Sequence, residues 1–140
     1  MSEYVTFEFR WHGNPVPKPR MTRRDVWLSP PRPCVARSWA FKDALVLAAK
    51  EAGYRPALHL IRELHFTAFI AMPKSWSAAK CQELALMPHT IRPDISNILK
   101  GVEDALTERD ETIHTVDMHK VWAARDEPAG LYVELICVER

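Results

Sequence analysis

The run from Pro93 to Glu111 constrains this chain more than any other stretch. At ~100° per residue, Ile98, Leu99, Val102, Ala105 and Leu106 fall on one face of a helix and demand a core to pack against. Ser96, Lys100 and Asp104 form a row on the opposite side at i, i+4 and i+8, with Asn97 beside it. Asp94 follows Pro93 at the helix start, where free backbone N–H groups favour a carboxylate. Asp110 and Glu111 come just beyond the helix and lead into a strand from Ile113, and a short antiparallel return carries them back toward its polar flank. Carboxylates converging from two elements suit a hard cation such as Mg²⁺, which takes oxygen ligands from a small number of carboxylates and waters. A neighbouring lysine then offsets charge developing on phosphate oxygens. Two plainer accounts stand beside this one. Asp94 is equally a helix cap, and Lys100–Asp104 a surface pair worth about 0.2–0.5 kcal/mol.

The 140 residues suit one domain spanning 1–140, with a core of ordinary size. No apolar run is long enough to cross a bilayer, so no membrane partner is expected. The start Met1-Ser2-Glu3 runs straight into strand-like sequence without a targeting segment, which makes a cytoplasmic location the expectation. Three widely spaced cysteines, Cys34, Cys81 and Cys137, show no metal-ligand spacing and read as reduced structural thiols. The net charge of +1 excludes a strongly basic nucleic-acid binder, yet charge is segregated. Lys18, Arg20, Arg23, Arg24, Arg32 and Arg37 stand against Asp25 alone, whereas Glu103, Asp104, Glu108, Asp110 and Glu111 face one arginine. A basic arm with an acidic centre fits an enzyme that grips phosphates and cuts one with a metal. Solvated surface is the plain alternative.

Along the chain, Tyr4 to Trp11 alternates like a half-buried strand. Gly13 to Pro33 holds six prolines and is an extended loop, the core of a basic arm over 13–37. Ser38 caps a helix predicted over Trp39–Ala52, with Phe41, Ala44, Leu45 and Ala48 inward and Gly53 at its end. Leu58 to Met72 reads as a strand with Leu60, Arg62, Leu64, Phe66, Ala68 and Ile70 on one side. A turn at Pro73–Ser77 precedes a short helix over Ala78–Leu86. The helix from Asp94 to about Leu106 is followed by strands over Ile113–Ala124 and Leu131–Val138. The order predicts an α/β or α+β domain with a small mixed sheet packed against helices. Tyr4, Trp39, Phe41, Phe66, Phe69 and Tyr132 are expected in the core. Trp27 lies near the arm's bases, where an aromatic can stack on an unpaired base. His89 stands in an extended piece between Pro88 and Pro93, while His59, His65, His114 and His119 suggest no metal site.

Pro-Asp-Ile-Ser-Asn-Ile-Leu-Lys with Asp104-Ala105-Leu106, then Arg109-Asp110-Glu111-Thr112-Ile113, resembles the RusA-like Holliday junction resolvases, common in phages and prophages. Gly13-Asn14-Pro15-Val16-Pro17-Lys18-Pro19-Arg20 is similar to that family's basic N-terminal segment, and Met72-Pro73-Lys74-Ser75-Trp76-Ser77 to its mid-chain turn. His89-x-x-Arg92-Pro93-Asp94 resembles the lead-in to its catalytic helix, and Lys120-Val121-Trp122-Ala123 its late strand.

The resemblance implies an intertwined homodimeric endonuclease that cuts four-way DNA junctions in recombination and repair with Mg²⁺ or Mn²⁺, at the nucleoid of a bacterial host. The family's Asp-x-Asp, its lysine four residues after the second Asp and its later Asp fall on Asp94, Ser96, Lys100 and Asp110. Asp94, Lys100 and Asp110 are then the catalytic set, and Asp94, Ser96, Asp110 and Glu111 the metal-ligating candidates. Glu111 remains an alternative to Asp110, because the stretch to Ile113 is one residue shorter than the usual pattern. Lys18, Arg20, Arg23, Arg24, Lys74 and Lys120 are the expected DNA contacts. Ser96 is the departure: a neutral hydroxyl stands where the family has a carboxylate. That weakens metal affinity while lowering repulsion of DNA phosphates, so a junction-binding protein that does not cut is the rival reading. An introduced substitution, a degenerate homologue, and compensation by Glu103 or Glu111 all account for it.

Overall fold

The alternating run near the N-terminus forms β1 (Val5–His12), with Phe9 buried, Phe7 and Trp11 packed on the core, and Thr6, Glu8 and Arg10 exposed. The computed structural model describes residues 3–140; Met1 and Ser2, on which the expectation of no targeting segment bears, lie outside them. β1 pairs antiparallel with β4 (Gly130–Glu139), from Val5 opposite Cys137 to His12 opposite Gly130. β4 pairs antiparallel with β2 (His59–Ile70), and β2 pairs parallel with β3 (Thr115–Trp122), giving the order β1-β4-β2-β3. Parallel neighbours need a long crossover, here supplied by α2 (Ala78–Leu84) and α3 (Ile95–Leu106). With α1 (Pro33–Glu51), the three helices and mixed sheet are the expected α+β architecture.

One sheet face is covered. Phe41, Leu45 and Ala49 of α1 and Ile98, Val102 and Leu106 of α3 pack with Leu64, Phe66, Leu131, Val133 and Leu135 in one cluster. The other face is polar: Glu8, Glu134, His65 and Asp117 sit opposite one another across the four strands. There His65 Nε2 lies 3.2 Å from Glu63 and His119 Nε2 3.0 Å from Asp117. The three cysteines are free, and burial pushes the Cys137 thiol up to about 11, as inert structural thiols require.

Several expectations need correcting. α1 begins at Pro33, not after Ser38, because proline at the first helical position loses no hydrogen bond and comes with a helical φ. Ser38 is therefore inside the helix. Trp39, two residues (~200°) from inward Phe41, is 45% exposed instead of buried. Tyr4 precedes β1 and is also exposed. Phe69 and Tyr132 alternate with buried Ala68, Leu131 and Val133, so they are half-buried on the far sheet face. In β2 the register shifts between Ile61 and Glu63; the irregularity turns Ile61 inward in place of Leu60 and Arg62. β3 is shorter than expected because a 3-10 turn over Asp110–Thr112 precedes it. Among the described residues, no helix is long and apolar enough to cross a membrane.

Candidate active site

Asp94 is delivered by a clamped segment. β3 is a sheet edge, and the chain before α3 covers it: Leu86 N–H donates to Trp122 O (3.0 Å), Trp122 N–H to Met87 O (3.0 Å) and His89 N–H to Lys120 O (2.9 Å). Lys120 Nζ donates to the carbonyls of Ile91 and Pro93, each at 2.6 Å. His89 is buried with its ring 4.3 Å from that of Trp122, which also packs against Trp76. Burial, reinforced by Lys120, holds the His89 pKa below its ordinary value. Its Nδ1 has no hydrogen-bond partner among the described residues. These contacts fix the path of residues 86–93, the last before the helix.

Asp94 has the extended backbone of a helix cap (φ −68°, ψ 137°), and its carbonyl accepts from Asn97 and Ile98 N–H. Its carboxylate makes no capping bond. Aspartate is favoured at this position because it can satisfy an orphan N–H; here the group is exposed and uncommitted. It borders a cleft of about 650 Å³ that is also lined by Arg37, Arg92, Asn97 and the Pro15–Pro19 stretch. Ser96, Lys100 and Asp104 form the expected exposed row. Asp104 pairs with Lys18 across the chain rather than with Lys100. Lys100 has no hydrogen-bond or ion-pair partner among the described residues. Lys18 N–H also donates to Asn97 O (3.1 Å), so the arm runs over α3; a Cβ at Gly101 would stand 3.4 Å from the Val16 carbonyl oxygen. Arg37 is the cleft residue that sequence reading missed. Its only signal is the basic run, because its place beside Asp94 depends on α1 starting at Pro33.

The late acids lie elsewhere. The Asp110–Thr112 turn is tied to the start of β2 through Thr112 Oγ1, which donates to Ile61 O (3.0 Å), and through His114 N–H to Arg62 O (2.8 Å). Asp110 does return to the flank of α3, but at its last turn. Glu103 is half-buried there, and burial together with the Asp110 and Asp104 charges raises its pKa. Glu111 turns to Arg109 (3.2 Å), and a backbone N–H bond and that guanidinium lower its pKa. Asp94 stands before a 12-residue helix and Asp110 beyond its end. Because the chain folds back beside Glu103, a rise of 1.5 Å per residue from Asp94 to Glu103 leaves the two acids ~14 Å apart along the axis. The return thus brings Asp110 to Glu103, not to Asp94. Among the described residues, no three His, Cys, Asp or Glu side chains are gathered to hold a metal ion.

The arm is ordered by its single acid. Asp25 is 2% exposed and accepts from Arg32 Nε and Nη2 (both 2.8 Å), Thr22 N–H (2.6 Å) and Thr22 Oγ1 (3.0 Å). Those bonds, Arg32's first and then Thr22's, hold its carboxyl well below the usual carboxylate range. Arg32 Nη2 also donates to Arg20 O (3.0 Å), joining both ends of the knot. Of the expected DNA contacts, Lys18 and Lys120 are engaged within the chain. Arg20, Arg23, Arg24 and Lys74 are exposed, their side chains without partners among the described residues.

The sequence model of a protein family described as Endodeoxyribonuclease RusA matches residues 12–136, and no curated protein matches the chain.

Proposed function

This chain belongs to the RusA endodeoxyribonuclease family, and we propose that it is a divalent-metal-dependent nuclease of four-way DNA junctions that works as a homodimer. The observation that carries the reading is the Asp94 carboxylate, which sits at a helix start without capping it and faces a cleft bordered by Arg37 and Arg92. Asp94 and Asp110 are hard oxygen donors with no side-chain partner among the described residues, and Mg²⁺ binds through one or two carboxylates with waters and a phosphate. The residues therefore fit the ion. Bound there, Mg²⁺ or Mn²⁺ would supply an acidified water and charge stabilisation at the phosphate.

Asp94 would hold the ion from the helix start, and Ser96 would offer a neutral oxygen nearby. Lys100, free of partners, faces the charge that develops on the leaving group. Arg37 and Arg92 orient the DNA strand in the cleft. Asp110 is too far along α3 to join its own Asp94. A two-fold dimer resolves this if Asp110 of one copy completes the Asp94 site of the other, and two such sites suit the paired nicks of a symmetric junction. Trp39, Val46 and Leu47, exposed on the outer side of α1, give that pairing an apolar surface. Glu111, held by Arg109, is the weaker claimant to the late role. Action on recombining DNA in the cytoplasm follows from this reading.

Ser96 favours a second reading, a protein that holds junctions without cutting them. The unsubstituted chain and Ser96→Asp, each incubated with a four-way junction and Mg²⁺, separate the two. We expect symmetric nicks from both, faster with S96D. Nicks from S96D alone establish the binding-only reading for the present chain, and binding without nicks from either refutes the nuclease assignment.

A further inference from the structure

The geometry points to Trp27 as a stacking platform for an unstacked nucleobase at the branch point of the DNA, an inference that rests on the junction reading above. Trp27 is 85% exposed and Val26 beside it 80%. Such a side chain in a loop ordinarily folds back onto apolar surface, because an indole is among the largest apolar groups a chain can bury. Here the indole stays outside a closed turn. Trp27 N–H and Leu28 N–H both donate to Arg24 O (2.9 and 3.0 Å), closing the turn over Arg23–Val26. The turn is anchored by buried Asp25, clasped by Thr22 and by both Nε and Nη2 of Arg32. The charge is spent inside and the indole is held outside.

The surroundings select the occupant. Arg20, Arg23 and Arg24 are exposed with their side chains unpartnered among the described residues. An aromatic face among unpaired guanidiniums matches single-stranded or unstacked nucleic acid, whose phosphates meet the arginines while a base meets the ring. A second copy of the chain is disfavoured, since a two-fold contact through this patch sets like charges against one another. A duplex offers phosphates but no free base face; a branch point offers both. Trp27 therefore discriminates junction from duplex, and Asp25 and Arg32 are positioning residues for it.

The test is the equilibrium affinity of Trp27→Ala and Trp27→Phe for a four-way junction and for a duplex of matched length, at several salt concentrations. Trp27 is on the surface, so both variants keep the fold. W27A should lose about tenfold in junction affinity, change duplex affinity less than about twofold, and keep its salt slope because no charge is removed. W27F should recover most of the loss. Equal losses on both DNAs, or no loss on either, overturn the inference. A shift in the self-association of W27A without DNA also overturns it, by assigning the indole to a subunit interface. An unsubstituted chain that itself shows no preference for the junction instead refutes the reading on which the inference rests.

Discussion

Asp25 in the first turn of a short 3-10 helix and Asp94 at the start of the 12-residue α3 each follow a proline-bearing approach, and their environments are opposite. Asp25 is buried, accepts four hydrogen bonds and is doubly clasped by Arg32. Asp94 is exposed, and its carboxylate does not make even the local cap that its backbone geometry offers. The helix around Asp94 is stabilised by other means: Ile98, Val102, Ala105 and Leu106 are buried, and Tyr54 OH donates to Leu106 O (2.6 Å) at its far end. The same residue type at similar positions thus serves two ends. One carboxylate is consumed in ordering a loop. The other is left free because packing already holds its helix, and only a free carboxylate can take a metal ion.

The contrast breaks most readily at Asp94. Asp94→Asn should lower junction cleavage by at least about a thousandfold, given the several kcal/mol that a catalytic metal site supplies. The melting temperature should move by less than about 2 °C, because no bond of the fold is lost. A D94N chain that retains Mg²⁺-dependent cleavage would remove Asp94 from the site; one that unfolds would make it a structural cap after all.

Asp25→Ala should do the reverse, with a smaller effect. Junction affinity should fall about tenfold as the turn bearing Trp27 loses its anchor, and amide exchange over Thr22–Leu28 should accelerate while α3 stays protected. The pH dependence has a definite sign. The folded-state pKa of Asp25 is depressed by Arg32 and Thr22, so its contribution is complete above the ordinary carboxylate range and is lost as pH falls through the folded-state value. Arm protection should therefore weaken in acid in the unsubstituted chain and become pH-insensitive over the carboxylate range in D25A. An arm equally protected in both proteins would dissolve the comparison.

Much of this was legible in the sequence. Ile98, Leu99, Val102, Ala105 and Leu106 predict the inner face of α3 by period alone, and the alternation from Val5 to Trp11 predicts β1. The failures were of two kinds. A helical wheel gives angle but not axial distance, so Asp94 and Asp110 looked like neighbours although α3 separates them. Period also misleads where an irregularity intervenes, as at Ile61–Glu63, or where a proline starts a helix early, as at Pro33. The arm's knot was hidden because Asp25 reads as one acid outvoted by a basic run. Thr22-x-x-Asp25 was the available signal, an acidic variant of the reciprocal cap at a helix start. Its arginine partner ten residues from Thr22 was not foreseeable from spacing.

The proposed composite site, with Asp94 from one copy and Asp110 from the other, is tested directly by mixing inactive variants. Asp94→Asn and Asp110→Asn should each be inactive alone. When the two are co-expressed and the heterodimer is isolated, one composite site keeps both carboxylates, and the account predicts Mg²⁺-dependent nicking of a single strand of the four-way junction. A heterodimer as inactive as its parents would mean that each chain carries its own complete site, and would contradict the account.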